Sequence, residues 1–274
     1  MCKTLKVSRS GFYAWLGRQE SDRARENRRL TKLIQSAFDE SRDTYGAPRV
    51  HRTLLQQGEA CGRHRVARLM RAAGLRSKTR CRFRVRTTDS NHNHPIAPDR
   101  VDREFRAATA NQVWVSDMTY IATDEGWLYL AVTMDLFSRK IVGWSMAPTM
   151  HAKIVIDALT MAIEQRRPDE GLIHHSDRGT QYASEAFRNA LADHGVVASM
   201  SRKGNCYDNA AIESFFHTLK TELVKHEHYR THTEARASLF DYIESFYNRK
   251  RLHSTLDYVS PIDFELAAEE EIAA

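Results

Sequence analysis

Hydrophobic positions divide the chain into a front with helical spacing and a rear with strand-like runs. Leucine, isoleucine and phenylalanine recur at helical spacing across residues 26–40. The sequence YGAPRV then interrupts this pattern through a glycine and a proline. Two further short helices are predicted, one over 49–57 and one in HRVARLMRAAG, where Gly74 is the predicted end. Three short helices in this order predict a small all-α, helix-turn-helix-like domain.

After Phe105 the pattern changes to β-rich runs separated by short turns. Strands are predicted over 113–123, 127–136, 140–147, 171–177 and 196–201. Helices are predicted over 151–167, 184–195, 209–227 and 233–248. Three sequential strands followed by alternating helices and strands predict an α/β fold, a mixed five-stranded sheet with flanking helices. This order of elements resembles that of the ribonuclease-H-like fold.

These patterns predict five segments. They are an N-terminal helical segment at 1–25, a basic helix-turn-helix-like domain at 26–88, a linker at 89–104, a mixed α/β core at 105–230, and a C-terminal helix and tail at 231–274. The linker contains Pro95 and Pro98 beside the sequence NHNHP.

Charge is distributed unevenly between these segments. Residues 1–104 carry 24 Lys and Arg against 11 Asp and Glu, a net charge of +13, whereas residues 105–274 carry 17 against 24, a net charge of −7. Between Ala60 and Thr88 there are ten basic residues and no acidic one: Arg63, Arg65, Arg68, Arg71, Arg76, Lys78, Arg80, Arg82, Arg84 and Arg86. Like charges at this density repel unless phosphates compensate them, so we predict double-stranded DNA as the partner. A solvated arginine-rich surface is the alternative.

Other functional classes find little support in the sequence. No stretch approaches the ~20 consecutive apolar residues of a membrane span, and the first residues lack the pattern of a signal peptide, so a cytoplasmic, nucleoid-associated protein without a membrane partner is expected. The four cysteines show no CxxC spacing, which argues against a zinc site.

Three acidic residues occupy informative positions in the predicted order. Asp117 interrupts the first strand, Asp177 ends the fourth strand in HHSDRGTQY, and Glu213 lies one turn into the long helix. Strand ends and an adjacent helix converge on one crevice in an open α/β sheet. Each residue taken alone also fits a structural role, as a turn residue, a loop cap or a solvated helix residue. Together, the three predict one site.

Clustered carboxylates at a buried strand end predict a divalent cation. Unpaired charges there would each cost several kcal/mol, and oxygen ligands suit Mg²⁺ or Mn²⁺. Two ions about 3.5–4 Å apart assist phosphodiester chemistry when a carboxylate bridges them. We assign the bridge to Asp117, one ion to Asp177 and the other to Glu213; the last two assignments are interchangeable.

The motifs around these residues resemble those of a known family. The 35 residues between Asp177 and Glu213 resemble the spacing of the retroviral integrase superfamily of DDE recombinases. WVSDMTYIAT, LAVTMDLFSRKIVGWSM, HHSDRGTQYAS, SRKGNCYDNAAIESFFHTLKTE and YNRKRLHSTLDYVSPIDF resemble, in order, the motifs of OrfB-type transposases of the bacterial insertion-sequence-three family. The resemblance covers nearly the whole chain and implies that Asp117, Asp177 and Glu213 are the catalytic triad.

The resemblance also implies the reaction and its partners. The expected activity is metal-dependent hydrolysis at the ends of an insertion element, which frees a 3′-hydroxyl, followed by attack of that hydroxyl on a second phosphodiester without a covalent protein–DNA intermediate. Homo-oligomers on DNA are expected because two element ends must meet. Members of the family work with an upstream partner reading frame or as a fusion with it, so recognition of the ends is expected to lie partly outside this chain.

Residues near the triad are candidates for supporting roles. His175, Asn209 and Asp135 are predicted to lie just outside the ligands, although a packed imidazole is an equal alternative for His175. Further basic candidates for DNA contact are Arg178, Lys203, Lys220, Arg249, Lys250 and Arg251. The last three could instead stabilise the C-terminal end of a helix.

Two other functions remain open from the sequence. One is a catalytically silent DNA-binding regulator of transposition, in which the carboxylates are structural. The other is a ribonuclease-H-type nuclease acting on RNA–DNA hybrids, because one fold supports several chemistries. Strand joining separates the transposase from both.

Overall fold

The computed structural model describes residues 2, 4–78, 95–101, 107–201 and 209–273, without the side chains of 272 and 273. The chain forms two compact units, residues 1–78 and 79–274. The sequence NHNHP in the predicted linker falls mostly outside the described residues. Within the described part of the chain, none of the helices is both long and apolar enough to cross a membrane.

The first unit is entirely helical. Its helices are α1 (Arg9–Leu16), α2 (Asp22–Glu40), α3 (Ala47–Gln56) and α4 (Arg63–Ala72). Helix α2 begins earlier than predicted because the Ser21 hydroxyl accepts a hydrogen bond from the Ala24 N–H at 3.2 Å and caps it. Buried Ile34, Leu54 and Val66 come from α2, α3 and α4, which pack against one another. The three-helix, helix-turn-helix-like prediction is confirmed.

The second unit is built on a five-stranded mixed sheet, as predicted. The strands are β1 (Val113–Thr123), β2 (Gly126–Asp135), β3 (Ile141–Ala147), β4 (Ile173–Ser176) and β5 (Val197–Met200). Their order across the sheet is β3-β2-β1-β4-β5. The first three strands pair antiparallel, and β4 is parallel to both β1 and β5. The central position of β1 makes it the strand on which a site can be held most firmly.

Helices surround this sheet. They are α5 (Ala152–Arg166), the single turn α6 (Thr180–Ala183), α7 (Glu185–Asp193), α8 (Ala210–Glu222), α9 (His232–Phe240) and α10 (Pro261–Ala273). Helix α8 ends five residues earlier than predicted, and a 3₁₀ turn follows it. Helix α9 continues as a π-helical segment, Asp241–Tyr247, within the single helix predicted over 233–248.

One face of the sheet carries a hydrophobic core that it shares with α5 and α7. Trp114, Met118 and Val142 from the strands pack with Leu159 of α5 and Phe187 of α7. The alternation of strand side chains therefore leaves Val115 and Asp117 on the opposite face of β1. Core packing on one face thus fixes the side of the sheet on which the Asp117 carboxylate lies.

Segments predicted to flank the core pack against it. In the predicted linker, Val101 is buried and the Arg100 N–H donates a hydrogen bond to the Ser199 hydroxyl of β5 at 2.9 Å. At the other end, Glu265 of α10 accepts hydrogen bonds from Ser138 and Lys140, both at 2.8 Å. Residues 95–101 and α10 are therefore structural parts of the second unit.

Gly143 is required by the contact of β3 with α5. A Cβ atom at this position would lie 2.2 Å from the Ala158 carbonyl oxygen and 2.8 Å from the Ala162 Cβ. Because the backbone of α5 cannot move away without a large energetic cost, Gly143→Ala is expected to lower the free energy of unfolding by about 3 kcal/mol. Gly62→Ala is the control, since a Cβ atom there would meet no atom of the described residues within 4 Å; we expect a loss below about 1 kcal/mol. Urea denaturation of both variants checks this, and equal losses would contradict it.

Candidate active site

Asp117 and Asp177 lie side by side because their strands are parallel. Ser116 of β1 is in register with Ser176, the last residue of β4. Asp117 is the next residue of β1, and Asp177 follows Ser176 where β4 ends. The carboxylate on the central strand and the carboxylate at the strand end thus meet at one edge of the parallel pair.

Local hydrogen bonds orient both carboxylates. Asp117 Oδ1 accepts from the Met118 N–H at 2.7 Å, and Asp177 Oδ1 accepts from the Gly179 N–H at 2.9 Å. A Cβ atom on Gly179 would lie 3.0 Å from Asp177 Oδ1. The glycine in the sequence SDRG therefore lets the backbone turn tightly beneath the Asp177 carboxylate.

Helix α8 brings Glu213 to the same site. Ile212, Phe215 and Leu219 are buried, and α8 contacts β1. At its N-terminus, the Asn209 Nδ2 donates a hydrogen bond to the Ser116 carbonyl oxygen at 3.4 Å. Glu213 lies on the exposed side of α8. Apolar packing and the Asn209 contact together set the position from which Glu213 reaches the site.

The three carboxylates influence one another electrostatically. Burial raises the pKa of Asp117 well above its ordinary value, and the charges of Asp177 and Glu213 raise it further. Asp117 as a whole residue is half-buried, but its carboxylate group is enclosed. Loss of hydration is therefore the largest cause of its raised pKa. Partial burial also raises the pKa of Glu213. Excess negative charge is therefore concentrated where β1, the end of β4 and α8 meet.

This donor set fits a divalent cation. Carboxylate oxygens are the preferred ligands of Mg²⁺ and Mn²⁺, and a cation would relieve the repulsion that raises the Asp117 pKa. In the ranges that the structure covers, no three His, Cys, Asp or Glu side chains converge tightly enough to enclose an ion as they stand. The carboxylates are thus near enough to affect one another's ionisation but do not form a closed cage.

The two histidines before Asp177 point to opposite faces of β4, as predicted. His175 is in register with Val115, on the face of Asp117, and its Nδ1 is 2.8 Å from the Ser199 hydroxyl. His174 Nε2 is 2.7 Å from the Ser116 hydroxyl, and its ring packs edge-on against Phe187. His175 therefore lies on the face of β4 that carries the carboxylates, and His174 belongs to the core on the other face.

His174 is expected to make the protein sensitive to acid. Burial lowers the pKa of His174 to about 3 from an ordinary value of 6.5. Between these values the unfolded chain binds a proton that the folded protein does not, so stability falls as the pH decreases through this range. His174→Phe is expected to flatten this dependence, as measured by urea denaturation between pH 4 and pH 7. An equally steep dependence in the variant would contradict the assignment.

Asp135 does not belong to the site, contrary to the prediction. Strand β2 is antiparallel to β1, so its last residue lies opposite Trp114, three residues before Asp117 and on the other face of β1. Asp135 Oδ2 accepts from the Asn111 N–H at 2.8 Å and lies 3.5 Å from the Arg166 guanidinium. The strand-end argument applies only among parallel strands, and Asp135 has a structural role.

The basic candidates of the first unit lie mainly on one side of α4. Arg63, Arg68 and Arg71 are exposed, whereas Val66, Leu69 and Met70 are buried. Arg65 is half-buried, and its Nε donates to the Asn27 Oδ1 at 2.9 Å. Beyond α4, Arg76 is exposed and Lys78 is half-buried. The four arginines from Arg80 to Arg86 fall outside the described residues.

Basic candidates in the second unit have different environments. Arg178 donates from its Nε to the Ser201 carbonyl oxygen at 2.6 Å. Lys220 lies with its ammonium 5.1 Å from the centre of the Tyr120 ring, and burial lowers its pKa to about 8 although the charge of Asp117 opposes the shift. Arg249 and Lys250 are exposed. Lys203 is outside the described residues.

Arg251 is not available for DNA, which corrects the prediction. It is only 5% exposed and forms two hydrogen bonds with Glu222 of α8, from Nε at 2.8 Å and from Nη2 at 2.7 Å. The Tyr242 hydroxyl donates to the same carboxylate at 2.7 Å. Arg251 therefore neutralises a buried carboxylate. The sequence does not reveal this role, because Arg251 directly follows two exposed basic residues.

Tyr182, which the sequence did not single out, packs in the core against His174 and Phe187. Its hydroxyl is buried and has no hydrogen-bond partner among the described residues. Burial raises the pKa of Tyr182, and the charges of Asp117 and Asp177 raise it further. The only sequence signal is an aromatic residue five positions after Asp177, a weak one because aromatic residues of short helices are usually core.

Comparisons with known proteins cover both units of the chain. Family models described as "Integrase core domain" match residues 107–206 and 213–267, and a model described as "HTH-like domain" matches residues 25–83. A chain in the cryo-electron-microscopy structure of a simian T-cell lymphotropic virus intasome, in complex with a PP2A regulatory subunit, has a TM-score of 0.50 and 18% identity, covering 75% of this chain and 70% of that one. This likeness supports the fold alone.

Two curated relatives match along almost the whole chain. The chain is 46% identical over 264 residues to an uncharacterized 31 kDa protein of insertion element IS600 from Shigella sonnei, covering 96% of this chain and 97% of that protein. It is 43% identical over 267 residues to transposase InsF for insertion sequence IS3A from Escherichia coli K12, covering 97% and 92% respectively. The chain belongs to the IS3 family of insertion-sequence transposases.

Proposed function

We propose that Asp117, Asp177 and Glu213 hold the divalent cations with which this DDE transposase cuts the ends of its insertion element and joins them to other DNA. The observation that carries the proposal is the parallel register that sets Asp117 beside Asp177. The influence of both Asp177 and Glu213 on the pKa of Asp117 supports a common site.

The proposed ligands have distinct parts in the site. Asp117, on the central strand, would bridge two Mg²⁺ or Mn²⁺ ions, with Asp177 and Glu213 each completing one. When bound, such ions polarise the scissile phosphate and stabilise the entering and leaving oxygens. Asn209 would keep α8 against β1 through its bond to the Ser116 carbonyl. His175 would stabilise β4, the strand next to that of Asp117, through its hydrogen bond with the Ser199 hydroxyl of β5.

Basic residues outside the triad would hold the DNA. Lys220 follows Glu213 by seven residues, so both occupy one side of α8, and its ammonium would contact a phosphate near the scissile bond. The exposed arginines of α4 would bind phosphates of the duplex, as would Arg249 and Lys250. Binding is expected to weaken steeply with salt because phosphate contacts release counterions.

Assembly on DNA completes the proposal. Homo-oligomers would bring two element ends together, and an upstream partner reading frame would contribute to end recognition.

The test is a gel assay on end-labelled DNA that carries the element's termini, with Mg²⁺ or with EDTA. We expect cutting that leaves a 3′-hydroxyl, followed by joined products, only with the metal. If the chain binds DNA and remains inert, both alone and fused to its partner frame, the binding-only regulator takes the place of the enzyme. Cutting of RNA–DNA hybrids without joining would favour the nuclease.

A further inference from the structure

Ser116 contacts the elements that carry the proposed metal ligands. It precedes Asp117 on β1, and its hydroxyl lies 2.7 Å from His174 Nε2 on β4, the strand that Asp177 follows. Its carbonyl oxygen accepts the hydrogen bond from Asn209 at the N-terminus of α8, at 3.4 Å. One residue of β1 thus bonds to both of the other elements on which a carboxylate of the site is carried.

The Ser116 hydroxyl is the centre of a buried polar cluster that also contains His174 and Thr133. Ser116 is 2% exposed, and the other two residues are 1% exposed. The Thr133 hydroxyl, directly opposite on β2, lies 2.8 Å from that of Ser116. A serine hydroxyl can donate one hydrogen bond and accept others, so it can satisfy both neighbours. Because a buried polar group without a partner is costly, the three side chains fix one another's positions across β2, β1 and β4.

This cluster lies on the face of the sheet opposite the carboxylates. Ser116 shares its face of β1 with Trp114 and Met118 of the hydrophobic core, whereas Asp117 lies on the other face. The sheet therefore separates the hydroxyl from any ion or DNA held by the carboxylates. What the hydroxyl can determine is the position of the β1 backbone, immediately before Asp117, relative to the end of β4.

Strand β4 is too short to hold its register firmly by backbone pairing alone. It has four residues, Ile173–Ser176. A shift of one residue would turn its side chains to the wrong face, and a shift of two would move Asp177 by about 6.6 Å along β1. Because two ions that share a carboxylate lie only about 3.5–4 Å apart, either shift would separate Asp177 from Asp117. The bond between His174 and Ser116 belongs to the observed register, in which His174 pairs with Trp114.

We propose that Ser116 is a positioning residue, whose hydroxyl sets the spacing of Asp117 and Asp177 by fixing β4 against β1. The inference rests on the proposed function, since it concerns the same metal site. Loss of the hydroxyl should weaken metal binding in a protein that still folds, because the two carboxylates are no longer held at the right distance. Removal of groups that orient metal ligands costs about ten- to a hundredfold in affinity or activity.

The experiment measures Mn²⁺ binding to the full chain by electron paramagnetic resonance of the free ion, at a temperature where circular dichroism shows the variants to be folded. Asp117→Asn defines the binding outside the site. We expect Ser116→Ala to bind Mn²⁺ at the site about tenfold more weakly than the wild type. The matched control is Ser138→Ala, which removes an equally buried hydroxyl that bonds to Glu265; it should bind Mn²⁺ as the wild type does.

A double-mutant cycle with His174→Phe separates positioning from a loss of stability. His174→Phe breaks the same hydrogen bond from the side of β4 and should weaken Mn²⁺ binding to a similar extent. The double variant with Ser116→Ala leaves neither of these two partners unpaired, so it should fold even if Ser116→Ala alone does not. It should bind Mn²⁺ no more weakly than either single variant, because both changes break one interaction.

Three results would overturn the inference. They are wild-type Mn²⁺ affinity in Ser116→Ala or in the double variant, an equal loss of affinity in Ser138→Ala, and additive losses in the cycle. The proposed function fails separately: a wild type that binds Mn²⁺ no better than Asp117→Asn would remove the metal site itself, and this inference with it.

Discussion

Asp117→Asn is expected to abolish catalysis while making the metal-free protein more stable. Loss of a bridging carboxylate removes several kcal/mol of transition-state stabilisation, so cutting should fall by about a thousandfold or more. The asparagine Oδ1 can still accept the Met118 N–H, but the repulsion from Asp177 and Glu213 disappears. If that repulsion is worth about 1 kcal/mol, the melting temperature should rise by about 2–4 °C.

Metal ions separate this explanation from a folding effect. Mg²⁺ should raise the melting temperature of the wild type, because it binds the folded protein, and should leave Asp117→Asn nearly unchanged. The control is Asp157→Asn, which removes an exposed carboxylate of α5 that pairs with Lys153; it should retain activity and the metal response. A destabilised Asp117→Asn variant that still responds to Mg²⁺ would show that Asp117 is structural.

Arg251→Ala is expected to be the most destabilising substitution of a charged residue in the second unit. It would leave Glu222, only 7% exposed, with its charge uncompensated beside the Tyr242 hydroxyl. Removing one partner of a buried ion pair costs about 3–5 kcal/mol. Because Glu222 is the last residue of α8, the loss should also disturb the helix that carries Glu213.

Urea denaturation of three variants tests this expectation. Arg249→Ala, which removes an exposed charge two residues away, should change stability by no more than about 0.5 kcal/mol. The double variant Arg251→Met with Glu222→Leu should be more stable than Arg251→Ala, since no buried charge remains unpaired. If Arg251→Ala is as stable as Arg249→Ala, the buried pair contributes nothing.

Strand positions and the neighbourhood of Asp117 and Asp177 were predictable from the sequence. Alternating and continuous apolar runs defined β1 over 113–123, whereas the parallel register of β1 and β4 became visible only in the structure. Asp135 was misplaced because the sequence shows that a strand ends there but not that its direction opposes that of β4. Chain direction across the sheet decides which end faces the site.

Long-range pairing of side chains was not predictable. Arg249, Lys250 and Arg251 look alike in the sequence, yet only the packing of α8 shows that Arg251 meets Glu222, 29 residues earlier. The contact of Lys220 with Tyr120 likewise joins a helix to a strand a hundred residues away. Such pairs depend on tertiary distances, on which local periodicity carries no information.

The measurement that tests the central claim most directly compares Asp117→Asn, Asp177→Asn and Glu213→Gln with the wild type in the Mg²⁺ gel assay, with DNA binding measured in parallel. We predict that each variant binds the element ends as the wild type does and yields neither cut nor joined product. Cutting by any one of the three at a rate near that of the wild type would contradict the proposed metal site.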